Sequence, residues 1–68
     1  MTDTLGDTLP EEIARVRQVL ATYIEIGPPG QFGAMMIEES LRRAEIAVMR
    51  GDIVAMIQAY SDLKEIKG

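Results

Sequence analysis

Sixty-eight residues without cysteine, histidine or tryptophan bound what this chain can do. One small domain is the ceiling, and a chain of this size buries only about 60% of its unfolded surface. Its core is therefore marginal without a staple. Disulfides and a Cys/His zinc site are excluded, and so are histidine acid–base chemistry and every Ser-His or Cys-His nucleophile.

The formal net charge of −4 is unevenly placed. Asp3, Asp7, Glu11 and Glu12 lie in the first twelve residues with no base among them, while seven acids and seven bases balance from Ile13 onward. Only Arg42, Arg43 and Arg50 approach a basic face, so direct nucleic-acid binding is not expected. No apolar run reaches the ~18 residues of a membrane span, and no basic-then-apolar leader opens the chain. A cytoplasmic protein is the expectation, with no membrane partner.

Residues 1–7 are polar and aperiodic and read as a flexible acidic tail, leaving 8–68 as a single helical domain. Thr8-Leu9-Pro10-Glu11 fits a capping box with Thr8 as N-cap and Pro10 in the first turn. Ile13, Val16, Leu20 and Ile24, widened by Val19, Tyr23 and Ile26, then predict an amphipathic helix over about 9–26. Gly27-Pro28-Pro29-Gly30 ends it, with Gly27 suited to a left-handed C′ position. A polyproline ligand is the weaker reading of that turn, since no PxxP frame is present.

A second helix is predicted over about 32–50. Ala34, Ile37, Leu41, Ala44 and Val48 make its heptad seam. Glu38–Arg42 and Glu39–Arg43 stand as i, i+4 pairs. Gly51-Asp52 reads as helix stop plus N-cap. The third helix, about 53–67, carries Ile53, Met56, Ile57, Tyr60 and Leu63 on one face, with Lys64 and Lys67 near its C-terminal dipole. The fold class is all-α: three short helices, the last two a tight helical hairpin.

Little here carries reaction chemistry. Gly27, Gly30 and Gly33 lack the strand and the Gly-Lys-Ser/Thr of a phosphate loop. Arg50-Gly51-Asp52 spells an adhesion tripeptide but lies in an inter-helix turn. Glu38 and Glu39 point about 100° apart and do not converge on a metal or a substrate. No catalytic residue, cofactor or metal is expected, and the chain does not read as an enzyme. The segment LRRAEIAVMRGDIVAMIQAYSDLKEI resembles one tetratricopeptide hairpin, with Ala44 and Ala47 at the small packing positions and Tyr60 as the aromatic. Met56 and Leu63 depart from that pattern. A single unit cannot bury its own faces, so the resemblance implies packing geometry and no peptide groove.

The most informative feature is an apolar surplus. Between Leu9 and Ile66 stand 23 Leu, Ile, Val, Met, Phe and Tyr residues. Helix 2 carries a second stripe, Met35, Ile46 and Met49, opposite its seam and with Arg42 among them. Leaving these in water wastes stability and exposes a patch, so the stripe predicts a homodimeric helical bundle or a surface for a foreign partner. Partner-binding candidates are Met35, Arg42, Ile46, Met49 and Arg50, with Tyr23 and Tyr60 as aromatic anchors. Tyr60 shares the stripe of Ile53 and Leu63, which favours a core position for it.

The runs LPEEIARVRQVLATY, GPPGQFGAMMI and RRAEIAVMRGDIVAMIQAYSDLKEI resemble short acidic proteins from early regions of Mu-like Pseudomonas phages and prophages. That resemblance implies a phage-encoded inhibitor acting in the host bacterial cytoplasm by occluding host proteins. The implied partners are a quorum-sensing transcription activator of the acyl-homoserine-lactone type and the type IV pilus assembly ATPase. A structural or assembly protein, or a small transcriptional regulator, working through helical self-association is the alternative.

Overall fold

The computed structural model describes residues 5–67, which form three helices and, among the described residues, no strand. Helix α1 spans Leu5–Ile26, a single 3-10 turn covers Pro28–Gly30, α2 spans Gln31–Arg50 and α3 spans Ile53–Glu65. Short connections place consecutive helices antiparallel. Each helix packs on the other two, the α1–α3 contact being the slighter.

The start of α1 differs from the sequence expectation. The helix already runs at Leu5, so Thr8 stands inside it and does not cap it, and Pro10 is an internal residue. Positions 5–7 belong to this helix, while 1–4 of the expected tail lie outside the described residues. Leu9, in the second turn of the extended helix, is fully buried. Pro10 costs one backbone bond to the carbonyl a turn earlier, near the helix start where the ladder is thin anyway.

The α1–α2 corner is built from glycine and proline. Gly27 takes φ 87° and ψ −148°, a positive-φ region outside the expected left-handed helical well and open essentially to glycine alone. Its N–H donates to the Ile24 carbonyl at 3.1 Å and its carbonyl accepts from Gly30 N–H at 2.9 Å. Gly51, by contrast, adopts the expected left-handed geometry (φ 66°, ψ 28°). Its N–H donates to Val48 O, and Asp52 N–H reaches back to Ala47 O, a Schellman closure. Asp52 then caps α3, its carboxylate accepting from Ala55 N–H at 3.2 Å.

The core is aliphatic and short of large side chains. Leu9, Val16 and Val19 from α1 meet Ala34, Ile37, Leu41, Ala44 and Ala47 from α2 and Met56, Ala59 and Leu63 from α3. Ala44 and Ala47 are buried as small packing residues, which lets α3 approach α2 closely. Several residues assigned to the stripes are instead exposed: Ile24 and Ile26 at the end of α1, Val48 on α2, Ile53 and Ile57 on α3. They sit at helix ends or on stripe margins, where three helices in a slab only 16 Å thick leave no facing element.

Candidate protein-binding surface

The residues of α2 divide cleanly by angle. Advancing about 100° per residue, Ala34, Ile37, Leu41 and Ala44 point into the core. On the opposite side Phe32, Met35, Glu39, Arg42, Ile46 and Met49 fall within an arc of about 100°. Their spacing alternates 3 and 4, the signature of a heptad seam. All are exposed: Met49 at 84%, Phe32 at 75%, Met35 at 60% and Ile46 at 42%. Met36 flanks the row and is also exposed.

The charged centre of this row is ordered within the chain. Arg42 donates to the Glu39 carboxylate at 3.1 Å, an i, i+3 pair that replaces the two i, i+4 pairs expected from sequence. Farther round α2, Glu45 pairs with Arg17 of α1, tying the two helices on their outer face.

The structure brings together four of the proposed partner residues: Met35, Arg42, Ile46 and Met49. Arg50 lies beside them at the end of α2, where it helps line a shallow groove against α3 with Arg43, Ile46, Asp52, Gln58 and Asp62. Of the two tyrosines, Tyr23 lines a groove with Met35 near the start of the row, and Tyr60 stands apart from it. Tyr23 is half-buried at the α1–α2 corner, its ring pressed on Gly33 so closely that a Cβ there would lie 2.6 Å from it. Tyr60 is half-buried against the core, with the Lys64 ammonium 5.5 Å from its ring centroid. Phe32, Met36 and Glu39 were missed as members, although extending the 3-4 spacing from Met35 in both directions reaches Phe32 and Glu39.

A second polar feature also escaped sequence reading. Arg15 of α1 donates to the carbonyls of Leu63 at 2.8 Å and Ile66 at 2.9 Å, capping the end of α3. Glu12 holds the same guanidinium at 2.9 Å, and that hydrogen bond raises the arginine above its ordinary pKa. Lys64 stands in the last turn of α3 as expected and Lys67 lies beyond the helix, while the carbonyls themselves are met from another helix. Nothing in local periodicity marks such a contact.

Chemically, the surface offers flexible thioether and aliphatic groups around an ion pair, suited to packing against another helix. Among the described residues no three acidic side chains converge as a metal site would require, and no helix is long and apolar enough to cross a membrane. Compared with known proteins, the chain matches no family model, no curated protein and no solved structure.

Proposed function

We propose that this protein is a non-enzymatic, homodimeric binding protein that inhibits a target by occlusion, its copies pairing through the outward row of α2 and the rim of that row meeting the target. The observation that carries this reading is that row: four large apolar side chains and an ordered Glu–Arg pair on the face opposite the core. A solvated helix face has no use for a Phe, two Met and an Ile at heptad spacing. The likeness to Mu-like phage proteins supplies the target class: a quorum-sensing transcription activator in the host cytoplasm, with the type IV pilus assembly ATPase as a second target.

The test is affinity capture from Pseudomonas lysate with the wild-type protein and with M36A/R50A, which changes two exposed residues flanking the row and leaves the row itself intact. The wild type is expected to retain the acyl-homoserine-lactone-responsive activator, and the double variant to lose it at unchanged helicity. An activator absent from the wild-type eluate, or retained equally by the variant, overturns the assignment.

A second reading, an assembly protein, is favoured by Ile53, Val54 and Ile57, a separate exposed apolar group on α3. Two different apolar faces on one chain permit open-ended growth. Sizing at rising concentration separates the two: a fixed mass supports the inhibitor, and continuous growth supports assembly.

A further inference from the structure

The outward row of α2 has an internal order that selects one occupant. Read along the helix it runs Phe32, Met35, Glu39, Arg42, Ile46, Met49: two apolar residues, an acid, a base, two apolar residues. The pattern is self-complementary about a point midway between Glu39 and Arg42. We infer that this row is the interface of a two-fold dimer in which α2 pairs antiparallel with α2 of a second copy, in the register that sets Glu39 opposite the partner's Arg42. The inference rests on the reading of the row as an interaction surface and commits that surface to a second copy of this chain.

The register follows from counting. With Glu39 opposite Arg42, Met35 falls opposite Ile46 and Phe32 opposite Met49, each pairing occurring twice by symmetry. Heptad positions agree. Phe32, Glu39 and Ile46 occupy one core position and Met35, Arg42 and Met49 the other, and an antiparallel pair brings unlike core positions together in each layer. The result is two apolar layers on each side of a central four-charge cluster. The same patch serves both copies, as an isologous interface requires.

Charge excludes the other sense. In a parallel, in-register pair Glu39 meets Glu39 and Arg42 meets Arg42, and like-charge juxtaposition at an interface costs several kcal/mol. The antiparallel register inverts both signs at once. The intrachain Glu39–Arg42 pair already holds these side chains in place at 3.1 Å, so less ordering remains to be done on association. Glu45, on the flank, is already engaged by Arg17 and brings no bare charge to the seam.

Two experiments test this. Sedimentation equilibrium on the wild type should give twice the 7.5 kDa chain mass. Glu39→Arg and Arg42→Glu should each weaken self-association at least about a hundredfold, while an equimolar mixture of the two restores a dimer. A wild-type monomer, or variants that still self-associate as the wild type does, overturns the interface; circular dichroism confirms that each variant remains helical.

The chain has no cysteine, so introduced thiols report orientation cleanly. Mixing Met35→Cys with Ile46→Cys should give a disulfide-linked pair, and either variant alone none, because like positions lie about 16 Å apart along the antiparallel helices. Cross-linking of Met35→Cys to itself overturns the antiparallel register. The two readings fail separately: a monomeric wild type that still captures the host activator ends the dimer and leaves the inhibitor, and the reverse result ends the inhibitor and leaves the dimer.

Discussion

Gly30 and Gly33 stand one turn apart beneath Tyr23, and each is glycine for lack of space. A Cβ on Gly30 would lie 2.5 Å from the Tyr23 carbonyl oxygen, which is backbone and cannot step aside. A Cβ on Gly33 would meet the Tyr23 ring, which can swing outward. Gly33→Ala also gains about 1 kcal/mol of helix propensity in α2. Gly30→Ala should therefore destabilise by about 1–3 kcal/mol and Gly33→Ala by clearly less. Denaturant midpoints give the order, and the reverse order would refute this account of the corner. At the other turn, Asp52→Ala removes the acceptor for Ala55 N–H and should cost about 1 kcal/mol, with Asp52→Asn close to wild type.

At the scale of the element, sequence periodicity located all three helices and both turns, and it separated the two faces of α2. Gly51-Asp52 was legible because its stop and cap act within six residues of chain. What stayed hidden depended on neighbours. Ile24, Val48 and Ile53 carry the right period, but only the placement of the other helices decides that nothing covers them. At the start of α1, Thr8 and Glu11 satisfy a local capping rule, yet the helix already runs at Leu5, so the local pattern did not set the boundary. The α2 row was found at three apolar positions and missed at Phe32 and Glu39, since a stripe sought as hydrophobic passes over the acid at its centre.

The contact between Arg15 and the end of α3 belongs to the same scale. Arg15→Ala deletes both donors to the carbonyls of Leu63 and Ile66. Amide exchange in the last turn of α3 should accelerate while the middle of α2 stays protected. Arg15→Lys should rescue this only partly, because an ammonium lacks the planar fork that spans two carbonyls and a carboxylate. Uniform acceleration across all helices would show that Arg15 supports the whole bundle and not one helix end.

For the molecule as a whole, eleven buried apolar residues among those described, four of them alanine, make a thin core. Leu63 is fully buried at the junction of the helices, and Leu63→Ala should cost about 2–5 kcal/mol. A chain of this length commands roughly 3–10 kcal/mol in total, so the variant should lose a large share of its stability and melt at least about 10 °C lower by circular dichroism. Association is expected to supply what the core lacks. The melting temperature should therefore rise with protein concentration in the wild type and become independent of it in Glu39→Arg. A concentration-independent wild type would mean that the single chain is stable unaided.

The reach of Arg15 also sets a clock. Its acceptors lie 48 and 51 residues farther along the chain. At about 5–20 residues per second, a ribosome needs roughly 3–10 s after placing this arginine to make the carbonyls it will hold. Through that interval the end of α3 does not yet exist, and Glu12 is the partner within reach of the guanidinium. The tie between the first helix and the last therefore closes late in the making of the bundle.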